Sequence, residues 1–157
     1  MVDFYFFDSS ALVKRYVAET GSALVQTVTH PQADNQIVIA RITWVEVLSA
    51  FSRLHREGGL PPTDVENAIR AFQYDVDTQY QIVELDPTLI ETAGQLVQRH
   101  PLRAYDSVQL AAALILQSAF NSIADVTLSF ISADHRLLTI AQTEGLVTID
   151  PTVAAQL

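Results

Sequence analysis

The stretch Phe4-Tyr5-Phe6-Phe7-Asp8-Ser9-Ser10 places four apolar residues directly before an acidic turn that carries two hydroxyl groups. A short, nearly continuous apolar run is typical of a strand that is buried on both faces, as the strands of a parallel sheet are. Helical spacing follows over residues 11–18. The chain therefore opens with a predicted buried strand that leads through an acidic turn into a helix.

Apolar runs and helical patterns alternate along the rest of the chain. Four more buried strands are predicted, at residues 36–40, 80–85, 126–131 and 146–149. Helices are predicted between and after them, at residues 23–29, 43–57, 63–78, 87–100, 106–120 and 134–144. Strands that alternate with helices favour βαβ units, and we therefore predict an α/β fold with a central parallel sheet.

Composition and charge limit the functions that this chain can have. The 157 residues contain no repeat or long linker, which predicts a single domain over residues 1–157. The absence of cysteine excludes disulfide scaffolds, thiol catalysis and cysteine-ligated metals. Nine basic residues against eighteen acidic ones give a net charge of −9, so binding to nucleic acid requires a local basic patch or metal ions. No membrane span or signal peptide is evident, which predicts a soluble protein of the cytoplasm.

Four acidic residues fall where the carboxyl ends of the predicted strands meet. Asp8 follows the first strand, and Asp134 follows the fourth. Asp106 opens the helix before the fourth strand, and Glu46 lies in the first turn of the helix after the second. Carboxylates about 5 Å apart repel by about 3 kcal/mol per pair at an effective dielectric constant of about 20. A hard divalent cation, Mg²⁺ or Mn²⁺, would remove that repulsion.

Simpler explanations compete with the metal site. Each of the three aspartates can cap a helix or occupy its first turn. Glu46 lies off the apolar stripe of its helix, where a solvated side chain is usual, so spacing alone does not decide its role. Five other acids are predicted to be a cap or solvated surface residues: Asp86 at a helix start, and Glu57, Glu66, Asp75 and Asp77 on helix faces or ends.

Other catalytic chemistries lack their motifs. The sequence has no G-x-S-x-G, no P-loop, no G-x-G-x-x-G and no H-E-x-x-H. An acidic phosphotransfer receiver domain shares the parallel sheet and an aspartate after its first strand. A receiver also needs a lysine after its last strand, and the only lysine here is Lys14, in the first predicted helix.

Four segments resemble, in order, the motifs of PIN-domain ribonucleases, and most closely those of the VapC toxins. The motifs span most of the chain, from residue 7 to residue 137. They are Phe7-Asp8-Ser9-Ser10-Ala11-Leu12-Val13-Lys14, Thr43-Trp44-Val45-Glu46-Val47, Tyr105-Asp106-Ser107-Val108-Gln109-Leu110-Ala111-Ala112-Ala113 and Phe130-Ile131-Ser132-Ala133-Asp134-His135-Arg136-Leu137.

The resemblance implies a three-layer α/β/α domain and an endoribonuclease that depends on Mg²⁺ or Mn²⁺. It implies that four acids are catalytic and bind the metal, and that two serines support them. These residues are Asp8, Glu46, Asp106 and Asp134, with Ser10 and Ser132. It also implies a homodimer and a small antitoxin protein that blocks the site. A catalytically silent PIN-like protein that binds RNA or an antitoxin is the alternative.

Two surface predictions accompany this interpretation. A local basic patch for RNA is predicted at Arg41, Arg103 and Arg136, with Lys14 or Arg15 next to it. The helices at 43–57 and 63–78, with the turn between them, carry more apolar bulk than one sheet face readily covers, which predicts a dimer or antitoxin interface, with ordinary core as the alternative. The residues concerned are Phe51, Leu54, Leu60, Phe72 and Tyr74.

Overall fold

The computed structural model describes residues 1–153, in which five strands alternate with seven α-helices. In chain order they are β1 (Val2–Phe7), α1 (Ser9–Leu12), α2 (Ser22–Val28), β2 (Gln36–Ala40), α3 (Thr43–Arg56), α4 (Pro62–Thr78), β3 (Gln81–Val83), α5 (Pro87–Arg99), α6 (Ala104–Phe120), β4 (Val126–Ile131), α7 (His135–Thr143) and β5 (Val147–Ile149). No helix among residues 1–153 has the length and apolar character needed to cross a membrane.

The five strands form one sheet in the order β3-β2-β1-β4-β5, and every neighbouring pair is parallel. Successive side chains of a strand point to opposite faces. Phe6 accordingly packs with Leu110 in the core that α5, α6 and α7 cover, whereas Phe7 packs with Phe51 and Phe72 in the core beneath α1 to α4. The predicted three-layer α/β/α architecture with a parallel sheet is confirmed.

The strand order determines where a site can form. The chain moves from β1 outward through β2 to β3, and then returns to place β4 on the other side of β1. Such a reversal opens a crevice beyond the carboxyl ends of the two central strands, where ligands bind in open α/β sheets. Asp8 follows β1 directly, and Ser132 follows β4. The fold therefore brings the first and fourth motifs together.

The first helix is shorter than predicted, and a buried polar network explains why. Helix α1 ends at Leu12 and continues only as a 3₁₀ turn over Val13–Arg15. Arg15 Nε donates to Asp75 Oδ2 at 2.6 Å, and the Tyr16 hydroxyl donates to the same oxygen at 2.7 Å. Asp75 is buried, so the prediction of a solvated surface residue is wrong. These contacts with α4 override the helical pattern of residues 11–18.

The proposed interface residues divide between core and surface. Phe51 and Phe72 are fully buried within the chain, and Trp44 stacks on Phe72 with ring centroids 5.1 Å apart. Tyr74 is 68% exposed, so it is free of the core. The two phenylalanines therefore belong to the ordinary core, whereas the homodimer stays a prediction.

Candidate active site

A cavity of about 720 Å³ lies beside the ends of β1 and β4, and all four predicted acids line it. The acids reach it from different elements. Asp8 follows β1, Asp134 follows β4, and Glu46 and Asp106 stand in the first turns of α3 and α6. Residues that are far apart in the sequence therefore share one opening at the carboxyl edge of the sheet.

Asp8 is the anchor of this cavity, because it is only 4% exposed and its carboxylate is held from several sides. Its Oδ1 accepts from the backbone N–H of Ala11 at 3.0 Å, which caps α1, and from Ser10 Oγ at 2.8 Å. Its Oδ2 accepts from Ser132 Oγ at 2.7 Å. Ser10 Oγ also accepts from the backbone N–H of Ala133 at 2.9 Å. The two serines therefore join the ends of β1 and β4 around Asp8.

Glu46 is half-buried and is oriented by a residue that the sequence reasoning missed. Gln109 Nε2 donates to Glu46 Oε1 at 2.7 Å and to Thr43 Oγ1 at 2.8 Å, and Ser9 Oγ donates to Glu46 Oε2 at 3.2 Å. Gln109 is 1% exposed, and its Oε1 is buried without a hydrogen-bond partner among residues 1–153. The signal was an amide within the apolar helix, three residues after Asp106.

The guanidinium of Arg103 bridges Asp106 and Asp134. Its Nε donates to Asp106 Oδ2 at 2.9 Å, and its Nη2 lies 3.5 Å from Asp134 Oδ2. Asp134 also caps α7, since its Oδ1 accepts from the backbone N–H groups of Arg136 and Leu137. Asp134 can therefore cap α7 and also take part in the cavity, because each role involves a different carboxylate oxygen.

Burial makes Asp8 and Glu46 harder to ionise, and a neighbouring acid adds to the effect on each. Burial raises the pKa of Asp8 to about 6, and the negative charge of Glu46 adds to the rise, while the hydrogen bonds to the carboxylate lower it. Burial also raises the pKa of Glu46, and the charge of Asp106 adds to that rise. A cation in the cavity would favour the charged form of both groups.

The donor set suits a hard divalent cation, because it consists of carboxylate oxygens with hydroxyl groups beside them. Within residues 1–153, however, no three carboxylate or imidazole side chains stand close enough to surround one ion as they are placed. Arg103 occupies the space between two of the acids, and its side chain is 77% exposed. Displacement of this exposed side chain would free Asp106 and Asp134, so the residues fit a cation in chemistry and need local rearrangement to hold it.

The predicted basic patch is only partly at the cavity. Arg103 lines it, but Arg41 pairs with Glu84 and lines a different groove, and Arg136 Nη2 donates to the backbone oxygen of Pro101 at 3.1 Å. Arg15 is held by Asp75. The structure therefore does not bring the three arginines together.

Comparison with known proteins shows to which family this chain belongs. The sequence profile of the PIN domain matches residues 5–142, which include all four acids. The chain belongs to the PIN domain family. It is 31% identical over 140 residues to Ribonuclease VapC45 and to Ribonuclease VapC49, from two strains of Mycobacterium tuberculosis. Each alignment covers 89% of this PIN protein and 90% of the relative.

Two solved structures share the fold of this PIN domain. One is a toxin–antitoxin complex from Klebsiella pneumoniae, with a TM-score of 0.62 at 18% identity, covering 94% of this chain and 97% of the other. The second is PAE2754 from Pyrobaculum aerophilum, with a TM-score of 0.58 at 21% identity, covering 94% and 89%. Their likeness is one of fold, since the sequences are distant.

Proposed function

We propose that this PIN protein is a metal-dependent endoribonuclease that hydrolyses RNA phosphodiester bonds and serves as the VapC-type toxin of a toxin–antitoxin pair. The observation that carries the proposal is the convergence of Asp8, Glu46, Asp106 and Asp134 on one cavity of a PIN domain whose relatives include proteins named as VapC ribonucleases. We further propose that residues 1–157 act as one domain in the cytoplasm; residues 154–157 lie outside the described part of the chain. The cofactor is Mg²⁺ or Mn²⁺, which oxygen ligands prefer.

The four acids, in this proposal, hold the cation and are the catalytic residues. A divalent cation, when bound, lowers the pKa of the attacking water and neutralises charge on the phosphodiester. Ser10 and Ser132 keep Asp8 in place through the hydrogen bonds that they donate to it. No side chain serves as a nucleophile, which agrees with a sequence without cysteine and without a serine motif. The expected products carry a 5′ phosphate and a 3′ hydroxyl.

The partners follow from the same family membership. An antitoxin protein is expected to cover the cavity and prevent RNA from entering. A homodimer is proposed as the form of the free toxin. No membrane partner is proposed.

The experiment that tests the function is RNA cleavage with purified protein. Incubation of labelled RNA with the protein and Mn²⁺ should give internal cuts with 5′-phosphate ends, and EDTA should stop them. Restoring Mn²⁺ in excess of EDTA should restore the cuts. RNA that stays intact in Mn²⁺ and in Mg²⁺, across RNAs of mixed sequence, would instead favour a catalytically silent PIN protein.

Gln109 gives a prediction of its own, because it positions Glu46 without facing the cavity. Replacement by leucine keeps the volume and removes the hydrogen bond to Glu46 Oε1, while Thr43 loses a partner. Loss of such an outer partner of a metal ligand usually costs about 10- to 100-fold in metal affinity or activity. We expect a loss in that range when cleavage is measured over a series of Mn²⁺ concentrations. The matched control is Gln117→Leu on the same helix, whose side-chain amide bonds only the backbone oxygen of Gly145 among residues 1–153.

A further inference from the structure

Two basic side chains also line the cavity, and neither has a role in the metal site proposed above. Lys14 and Arg53 line it together with the acids. Lys14 is the only lysine in the sequence, and its side chain is just 8% exposed. A lysine is rarely buried to this extent without a partner. Its Nζ donates to Glu19 Oε2 at 2.9 Å, and this is its only hydrogen bond to residues 1–153, so two of its three N–H donors are unused.

Arg53 stands on the same face of α3 as Glu46. The two residues are seven apart, which is about two turns or 10 Å along a helix axis. Both line the cavity. Arg53 is exposed and makes no salt bridge within the described part of the chain, whereas Arg15, Arg41 and Arg103 are each bound to a carboxylate there. Arg53 is therefore available to an anionic ligand.

Lys14 and Arg53 lie on elements that pack against each other, the 3₁₀ turn of Val13–Arg15 and helix α3. The cavity wall thus carries acids at the starts of α3 and α6, and two cations farther along, one of them paired with Glu19. Acids that hold a metal ion suit the phosphate that is cut. A cationic side chain with spare N–H donors, such as Lys14 or Arg53, suits a neighbouring phosphate. This separation of charge is what a polyanionic chain requires if it is to lie across a protein of net charge −9.

We propose that Lys14 and Arg53 form a phosphate-binding subsite that holds a backbone phosphate of single-stranded RNA next to the phosphate that is cut. This inference rests on the proposed ribonuclease function. We assign a single strand because Asp8, which lines the cavity, is only 4% exposed. A flexible strand can bend into the cavity, whereas an A-form duplex is rigid and is recognised across its outer surface. The subsite replaces the patch of Arg41, Arg103 and Arg136 as the source of affinity for RNA.

A purely structural role for Lys14 predicts a different pattern of mutant effects. If Lys14 served only to pair with Glu19, Lys14→Gln and Glu19→Gln would break the same ion pair and have similar effects. If Lys14 binds phosphate, Lys14→Gln weakens RNA binding. Glu19→Gln leaves it equal or tightens it, since a competing carboxylate is removed from beside Lys14. Opposite signs for the Lys14→Gln and Glu19→Gln effects, measured at a NaCl concentration that screens the change in net charge, therefore separate the two roles.

The test measures binding of a short fluorescein-labelled single-stranded RNA of mixed sequence by anisotropy, with Mg²⁺ present, over a series of NaCl concentrations. All proteins carry Asp106→Asn so that the RNA stays intact. We expect Lys14→Gln and Arg53→Gln each to weaken binding about tenfold. Each should also reduce the salt slope by about 0.7, the contribution of one contact with a single strand. Annealing the RNA to its complement should weaken binding, and equal binding of the duplex would overturn the single-strand assignment.

Arg56→Gln is the matched control, because Arg56 lies on the same exposed end of α3 and outside the cavity lining, and its loss changes net charge equally. Equal salt slopes for Arg53→Gln and Arg56→Gln would overturn the subsite. If Lys14→Gln fails to fold, this comparison of the two arginine variants still tests the proposal. With Asp106 intact, the subsite variants should raise KM for cleavage more than they lower kcat. If the unmodified protein cuts no RNA, the proposed function fails, while the binding data still decide the subsite.

Discussion

Replacing Asp106 by asparagine is expected to abolish RNA cleavage while leaving the fold intact. The substitution keeps the volume and removes one of the four negative charges that we propose hold the cation. A metal site contributes several kcal/mol to stabilisation of the transition state, and each 1.36 kcal/mol is a factor of about ten in rate, so we expect a loss of about 10³-fold or more. Initial cleavage rates in Mn²⁺, at equal protein concentration, measure it.

The control for this loss is Asp86→Asn. Asp86 caps α5 through Oδ1, which accepts from the backbone N–H of Leu89 at 2.8 Å, and an asparagine can cap in the same way. It lies outside the cavity lining. Asp86→Asn should retain the cleavage rate of the unmodified protein. Comparable losses in Asp86→Asn and Asp106→Asn would show that the assay reports folding rather than the site.

Asp75→Ala is expected to produce the largest loss of stability among single substitutions of polar residues. Asp75 Oδ2 accepts from Arg15 and from Tyr16, and removing the carboxylate leaves the Arg15 guanidinium, 18% exposed, without its charged partner. Removing one member of a buried ion pair costs about 3–5 kcal/mol. Because Arg15 keeps hydrogen bonds to Thr29 and some exposure, we expect about 3 kcal/mol.

Urea denaturation measures this effect as a shift of the midpoint at unchanged slope. The control is Asp77→Ala on the same helix. Asp77 is exposed, and within the described residues its carboxylate accepts only from the amide of Gln73. That substitution should change the free energy of unfolding by less than about 0.5 kcal/mol. Equal midpoints for the two variants would mean that the network around Asp75 contributes little to the fold.

Much of the architecture was predictable from the apolar pattern. The runs at residues 36–40 and 126–131 became β2 and β4 with the same bounds, because strands buried on both faces are apolar throughout. The acids near the strand ends could be assigned to one predicted site, because parallel strands bring their carboxyl ends to one edge of the sheet. The order β3-β2-β1-β4-β5 then explains why Asp8 and Ser132 meet.

The parts that sequence reasoning missed depend on side-chain contacts between distant elements. Nothing in the local pattern distinguishes Asp75, which is buried against Arg15, from the exposed Asp77 two residues later. Gln109 likewise gave only a weak signal, because its role depends on Glu46, sixty-three residues away. Arg41 directly follows β2 and Arg103 directly precedes α6, yet of the two only Arg103 lines the cavity. Such pairings are set by tertiary packing rather than by periodicity.

The central claim is that Asp8, Glu46, Asp106 and Asp134 act as one metal site, and thermal melts in EDTA and in Mn²⁺ test it most directly. In EDTA, Asp106→Asn should match the unmodified protein to within about 1 kcal/mol, since the pair that it breaks with Arg103 is exposed. At a hundredfold excess of Mn²⁺ over the dissociation constant, the unmodified protein should gain about 2.7 kcal/mol. The variant should gain much less at the same Mn²⁺ concentration. Equal gains in the two proteins would contradict the four-acid site.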